Sequence, residues 1–553
     1  MQKVRKAKVL LIGAEDEENL SIRYLAAVLE KDGHDVKIAP CSRYEQFPQV
    51  IKTVNKYNPD LIGISIAFQS LAKMYFELVS KICELNRGGY ITVGGHFPTF
   101  EFRNILETQR GIDSVIRFEG EQAIVELANF AMGNFKLSSV TNLVYRTPGG
   151  IHENECIRKF PALDELPFPV RNKKPQIRLG ENFATLVASR GCWYSSCLYC
   201  CIGAFHSEKK GKRFVVRSPE NIADELRVLY RKFGSRLFQF HDDNFMLPSK
   251  KETAKRLADI KKAVEEKNIK TKNIAFLIKA RPDTIDDEVA FALKELGVVG
   301  VFLGIENATE SGLKALRRGT TLENIYQAIS SLKKFDIEIT FNLLIFHPNA
   351  TLDEIDKNID FLQNNIQYPF DFGRAEVVAG SPLEKMLIEK NGLIGSWPNW
   401  DYGMDDKLVE KMFKINLFSF RRKNAYYSRL AHSSIALGYH AYVLKRLHPG
   451  PIADKLFLDA NELIKQINGF IIDQIKKMRF LAINSSPDED IRKFYEELST
   501  GCQNFLRFVW RLNSRIRRLQ IAENVCQFFE ARPLVQEVYP SINKIFKGFL
   551  YRS

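Results

Sequence analysis

Twice along this chain, short β-branched apolar runs alternate with stretches whose apolar residues recur at helical spacing. The first series is KVLLIG (8–13), HDVKIA (34–39), LIGISI (61–66), YITVGG (90–95) and SVIRFEG (114–120). SIRYLAAVLEKDG, between the first two, is periodic at helical spacing and ends in Gly33, a natural residue just past a helix end. Strands alternating with helices predict a parallel, doubly wound sheet. Ligands of such sheets sit beyond the carboxyl ends of the strands. Here those ends carry Gly13 to Asn19, Ser65 to Gln69, Gly94 to Thr99 and Glu119 to Glu121.

The second series is FATLVAS (183–189), LFQFHDD (237–243), IAFLIKA (274–280), GVFLGIE (300–306), ITFNLLIF (339–346) and GRAEVVAG (373–380). Helical patterns separate them, such as PENIADELRVLYRKFG with Ser218 as N-cap and Pro219 at the first helical position. Six βα units in a row predict a barrel or partial barrel, with chemistry at the carboxyl ends of its strands. Between the two series, TPGG suggests a hairpin turn, and ALDELPFPVRNKKP is rich in Pro and charge, as a linker is. Beyond about residue 400 long helical patterns dominate. The expected fold class is therefore α/β: a Rossmann-like doubly wound domain over 1–135, a linker over 136–182, a partial (β/α)6 TIM-type barrel over 183–400, and a mostly helical region over 401–553.

With 553 residues the chain has room for roughly three domains. No apolar run approaches the roughly 20 residues that span a bilayer. The basic, then apolar start MQKVRKAKVLLIG reads as a first strand rather than a signal peptide, which places the protein in the cytoplasm. The net charge is +14, and from Asp401 onward 25 Lys and Arg face 16 Asp and Glu. Segments such as RRK (421–423) and RLNSRIRR (511–518) contribute. They read as a solvated helical face or as a surface for an anionic partner: nucleic acid, a phosphorylated substrate or a membrane. No aromatic-basic interleaving typical of RNA readers accompanies them, so nucleic acid is not the expected partner.

GCWYSSCLYCC, from Gly191 to Cys201, follows the first barrel strand and holds four of the chain's nine cysteines. Cytoplasmic thiols stay reduced, so clustered ones bind metal more often than they pair. Cys192, Cys197 and Cys200 have the spacing C-x4-C-x2-C. One loop with three thiolates can wrap a corner of an iron–sulfur cluster and leave one iron open. Zinc, with His206 as fourth ligand, is the alternative, although structural zinc commonly uses two separated cysteine pairs and no second C-x2-C exists here. Cys41, Cys83, Cys156, Cys502 and Cys526 are scattered, and Cys83 and Cys526 read as buried inert thiols.

SRGCWYSSCLYC followed by six βα units resembles the radical S-adenosylmethionine enzymes. The usual loop of that family is C-x3-C-x-aromatic-C; Tyr199 matches the aromatic, and the first gap here is one residue longer. RSPENIADEL, FQFHDDNF, LGIENATESGLKALRRGTT and HPNATLDEI are similar to the cobalamin-binding branch. So, in the front domain, are NLSIRYLAAVLEKDGHDV, PDLIGISIAFQS, ITVGGHFPTF and IDSVIRFEGE. The resemblance implies a [4Fe-4S] cluster on Cys192, Cys197 and Cys200, with Cys201 as the rival to Cys200, and S-adenosylmethionine on the open iron. His241 to Asn244, including Asp242 and Asp243, end the second strand, where the family contacts the methionine amine. Lys279 and Arg281 would meet the carboxylate and Glu306 the ribose. It also implies cobalamin in the front domain, with Ser65 near the nucleotide tail and Gly94 and Gly95 letting that tail pass close to backbone. The motif Asp-x-His-x-x-Gly is absent, and neither His34 nor His96 replaces it, so cobalt is expected without a protein His from below.

The implied activity is C-methylation of an unactivated carbon: a 5′-deoxyadenosyl radical abstracts hydrogen and methylcobalamin gives the methyl. Two domains closing over a shared dry cavity would suit it. An external one-electron donor such as flavodoxin or ferredoxin is implied. The substrate is open among small natural products, lipids and peptides, with Trp193, Tyr194, Phe205, Trp397 and Trp400 as candidate lining. The alternatives are ring closure or rearrangement with no methyl transferred, an RNA-binding or RNA-modifying protein, and a zinc-bound scaffold.

Overall fold

The computed structural model describes residues 6–85, 89–156, 161–207, 213–421 and 426–530, with side chains of the last helix described to residue 524. Arg422, Lys423 and Cys526 thus fall outside the described side chains. The first sheet holds β1 (Lys8–Gly13), β2 (Asp35–Pro40), β3 (Leu61–Ser65), β4 (Tyr90–Gly94), β5 (Ser114–Ile116), β6 (Leu143–Thr147) and β7 (Gly150–Glu153). Its order is β2-β1-β3-β4-β5-β6-β7. The first five strands are parallel, and β6 and β7 add an antiparallel hairpin at the edge beside β5. The TPGG turn thus closes a hairpin of the first sheet, inside the stretch the sequence reads as a linker. The order reverses between β1 and β3, and the loops after Gly13 and Ser65 leave from that switch point. Apolar residues cover both faces of the sheet, as a parallel sheet between helices requires.

The second sheet, order β16-β15-β14-β13-β12-β9-β8, is a partial barrel. A short antiparallel β8 (Gln176–Arg178) precedes β9 (Glu181–Leu186). A side ribbon of β10 (Ser189–Gly191) and β11 (Phe214–Val216) follows, and the cysteine loop leaves from β10. The remaining parallel strands are β12 (Leu237–Phe240), β13 (Ala275–Ala280), β14 (Val298–Leu303), β15 (Glu338–Phe346) and β16 (Phe370–Arg374). A small ribbon, β17 (Ile394–Ser396) with β18 (Asn399–Asp401), completes the strands among the described residues. Ser218 caps its helix as expected, accepting from the Asn221 amide, with Pro219 next.

Five predicted strands end three or more residues early: those of FATLVAS, LFQFHDD and GVFLGIE end three short, at Leu186, Phe240 and Leu303, and two others end further short. SVIRFEG stops pairing at Ile116, because Phe118 takes φ 58°. GRAEVVAG is strand only to Arg374; Glu376 to Val378 line a cavity, and the Ala379 amide donates to Gln69 Oε1 of the front domain at 2.7 Å.

Among the described residues, four helices form the C-terminal region: Lys407–Ser419, Tyr427–Leu447, Pro451–Ile483 and Asp488–Glu530. The second enters the open side of the half-barrel. Val443, Leu447 and Tyr439 pack with Phe183, Leu237, Ala275, Leu277 and Val299. A Cβ on Gly300 would lie 2.5 Å from the Tyr439 ring, so the missing side chain of that strand residue makes room for the helix. No helix among the described residues is long and apolar enough to cross a membrane.

Candidate active site

The cysteine loop is held from three sides. Asp242, at the end of β12, accepts from the Ala188 amide at 3.0 Å and from the Ser189 hydroxyl, tying the exit of β9 to β12. Burial pushes its carboxyl up to about 6, against the hydrogen bonds from Ser189 and Ala188. Asp243 Oδ2 accepts from the Gly191 amide at 3.2 Å. Asn244 Nδ2 stands 3.9 Å from Cys192 Sγ. The extra residue in the first gap is absorbed where Ser195 takes φ 54° and its hydroxyl donates back to the Cys192 carbonyl.

Guanidinium groups converge on Cys197. Arg318 Nη1 donates to its Sγ at 3.1 Å and to the Tyr199 hydroxyl at 3.2 Å. Arg281 Nη1 lies 4.0 Å from the same sulfur; its guanidinium pairs with Asp283 at 3.0 Å, donates to the Arg318 carbonyl at 2.7 Å and stacks 4.1 Å over Tyr194. Glu306, held at φ 66° by backbone bonds to β15, hydrogen-bonds Tyr199 and faces Arg318. Burial raises its carboxyl, against the nearby Arg318 charge. Burial also raises the Cys200 thiol, with Cys201 and Cys197 adding to it. Three thiols beside two fixed cations suit a ligand that takes thiolates and carries net negative charge once they bind, as an iron–sulfur cluster does. Among the described residues no three His, Cys, Asp or Glu side chains close around one point as a single ion needs. A cluster makes no such demand, since each thiolate meets a different iron.

A cavity of about 1460 Å³ separates the front domain from the barrel mouth. Drug-sized ligands occupy roughly 300–1,000 Å³. The front domain contributes Asp16 to Asn19, Ser65, Gly94 and Gly95; the barrel contributes His241, Asp243 and Lys279. Gly95 takes φ 115°, and a Cβ there would lie 2.9 Å from the Ile66 carbonyl, so β4 can turn into its helix beside the cavity only with Gly at this position. An open cavity of this size above a glycine turn fits a large planar group with a long tail. Cys201, Phe205, His206 and Trp400 are in the wall, whereas Cys192, Cys197, Cys200, Tyr199, Asp242, Arg281 and Glu306 are not. The predicted site residues therefore fall into two groups: Ser65, Gly94, Gly95, Asp243 and Lys279 around the cavity, and the rest behind it around the cysteine loop. Trp193 and Tyr194 stack on Arg281, and Trp397 packs on Phe76 and Phe97 of the front domain.

Polar contacts lock the two halves together. Arg190 Nη1 pairs with Glu119 at 2.9 Å and Glu121 at 2.7 Å. Glu17 pairs with Arg178 and meets His241 Nε2 at 2.9 Å inside the cavity. Trp397 donates to Glu101 at 2.7 Å. Sequence reasoning missed Arg318, Arg190 and Glu17. Arg318 had a signal: it precedes Gly319, whose φ of 58° leaves room for Tyr194, in the quoted stretch LKALRRGTT. One expectation is corrected: Cys83 is exposed, because it ends its helix on the outer side.

The sequence matches two families, the B12 binding domain over residues 9–128 and the Radical SAM superfamily over residues 186–362. A relative described as an uncharacterized methyltransferase, PH0819 of Pyrococcus horikoshii, is 27% identical over 439 residues, 77% of this chain and 92% of its own length. The 4′-phospho-dehydrooxetanocin synthase of Priestia megaterium is 25% identical over 395 residues, 67% of this chain but only 52% of that one. The fold is similar to that of the cobalamin-dependent S-adenosylmethionine radical enzyme OxsB, with a TM-score of 0.63 at 18% identity, covering 91% of this chain and 85% of that one. It is also similar to that of the radical S-adenosylmethionine methyltransferase TsrM from Kitasatospora setae, with a TM-score of 0.59 at 17% identity, covering 71% and 79%.

Proposed function

We propose that this chain, a cobalamin-dependent radical S-adenosylmethionine enzyme by its two matched domains, is a C-methyltransferase acting on an unactivated carbon. Those domains imply cobalamin, a [4Fe-4S] cluster and S-adenosylmethionine. The observation that carries the reading is the single cavity on which the carboxyl ends of both sheets open. Bound there, the cofactors supply a 5′-deoxyadenosyl radical and a transferable methyl group.

The chain's own residues have distinct tasks in this reading. Cys192, Cys197 and Cys200 hold the cluster, and Arg318 and Arg281 offset its charge at Cys197. Because Arg281 is engaged with Asp283 and Tyr194, the exposed Lys279 is the better partner for the methionine carboxylate, and Asp243 for its amine. Asp242 positions the loop instead of touching ligand. Glu306 and Tyr199 buttress Arg318. Ser65, Gly94 and Gly95 flank the cobalamin tail. The enzyme works in the cytoplasm with an external one-electron donor, such as flavodoxin or ferredoxin, on a small natural product, a lipid or a peptide.

The similarity to the anaerobic magnesium-protoporphyrin IX monomethyl ester cyclase of Synechocystis, 29% identical over 255 residues, supports a second reading, ring formation without methyl transfer. The test begins with anaerobic reconstitution and iron, sulfide, cobalt and zinc analysis on one sample. The loaded enzyme is then given reductant, a metabolite extract and S-adenosylmethionine with a deuterated methyl group. Methyl transfer yields S-adenosylhomocysteine beside 5′-deoxyadenosine and a deuterium-bearing product. Deoxyadenosine with neither of the others points to ring formation, and zinc without iron or cobalt sinks both readings.

A further inference from the structure

The outward face of the last helix, Asp488–Glu530, has no role in the chemistry above. Between Glu497 and Glu523 this helix carries five arginines and no acidic residue. Arg507, Arg511 and Arg518 are exposed, and helical spacing sets them along the middle of the face. Trp510 and Ile521 run along one border, 71% and 61% exposed, and Phe508 lies along the other at 51%. The opposite side, with Leu498, Cys502, Val509, Leu512 and Ile516, is buried in the bundle, so the helix is anchored and no described residue covers its outer face. Among the described residues, only Arg515 of these arginines meets a carboxylate, that of Asp459 at 3.3 Å.

We infer that this face docks the protein on an anionic membrane surface. A cationic stripe bordered by Trp, Phe and Ile is the composition of an interfacial helix: arginines meet lipid phosphates while the apolar borders enter the boundary between headgroups and acyl chains. An RNA partner would use the arginines and stack on the rings, but it offers nothing to an isoleucine as exposed as Ile521. With no helix suited to crossing a bilayer among the described residues, the attachment is peripheral and salt-sensitive. It does not depend on which reaction the cavity performs.

The test uses the full chain and vesicles of phosphatidylcholine with or without phosphatidylglycerol, read by co-sedimentation. The protein is expected to partition onto the anionic vesicles and to be released by salt. Combining Arg507→Glu, Arg511→Glu and Arg518→Glu should lower the partition coefficient by about 100-fold or more, with an unchanged far-ultraviolet circular dichroism spectrum. Brominated acyl chains should quench the wild type's tryptophan fluorescence more than that of Trp510→Phe, a readout that stands even if the triple variant misfolds. Equal binding to neutral and anionic vesicles, no partition at all, or no change in the variants overturns the inference. So does binding to single-stranded RNA, lost in the triple variant, without vesicle binding.

Discussion

Two guanidinium groups stand beside the Cys197 sulfur, where they would offset the negative charge of a cluster held by thiolates. Replacing Cys192, Cys197 and Cys200 together with Ala is expected to abolish iron and sulfide incorporation on anaerobic reconstitution. Cys201→Ala should retain about four irons per chain, because that thiol faces the cavity and not Arg318. Loss of the cluster in the Cys201 variant would reassign the trio. A second residue makes a prediction about pH. Glu338 is buried at the start of β15, against the helix Tyr427–Leu447, and burial pushes its carboxyl up to about 8 despite bonds from Ile339 and Tyr442. Its pKa is thus higher folded than unfolded. The folded state loses nothing while both forms are protonated, and loses stability progressively as pH rises from the ordinary carboxylate range to about 8. Glu338→Gln should therefore stabilise the chain at pH 8, by roughly 3–5 kcal/mol at most, and leave it nearly unchanged near pH 4. Denaturant midpoints for both proteins across that range would show it, and parallel curves would refute it.

Among the elements, the strands were the legible part, because a strand buried on both faces writes itself as a short β-branched run. GRAEVVAG misleads for the same reason: its last residues are apolar because they wall the cavity, not because they pair. The spacing puts Cys192, Cys197 and Cys200 on one loop, whereas Arg318 and Arg190, which the fold brings against that loop and across the domains, belong to no pattern that one strand or helix imposes. The helix Tyr427–Leu447 was legible as a helix but not as the filling of the half-barrel. It is buried against the strands on one side and its neighbouring helices on the other, so its apolar residues mark no single face. The fit depends on Gly300, and Gly300→Ala would push a methyl group against the Tyr439 ring at 2.5 Å. Overpacking of this kind typically costs about 1–3 kcal/mol. The unfolding midpoint should fall accordingly, and Tyr439→Leu in the same chain should recover part of the loss. No recovery would mean that the helix does not press on β14.

At the scale of the whole molecule, the cavity exists only while the two sheets face each other, and a buried ionic chain keeps them there. Arg171 pairs with Glu18 of the front domain and, at 2.7 Å, with Glu225 of the barrel. Glu225 in turn holds Arg217 at 2.6 Å, and Arg171 also donates to the Thr185 carbonyl of β9 at 2.8 Å. Such a chain contributes little net stability compared with apolar packing, but removing one member strands a buried charge. Arg171→Met leaves Glu18 without its strongest partner, with Arg23 the remaining cation at 3.7 Å. The expected cost is about 3–5 kcal/mol. That cost falls on the contact between domains and not inside either core. The variant should therefore keep its iron and sulfide content while binding cobalamin more weakly, and proteases should cut it faster in the segment 154–175 that joins the sheets. Equilibrium titration with cobalamin beside metal analysis separates the two effects. Weaker cobalamin binding with intact iron means that closure over the cavity is a property of the interface. Equal losses of both would mean that the front domain and the barrel unfold as one unit, and unchanged affinity would mean that the cavity does not need Arg171 to stay closed.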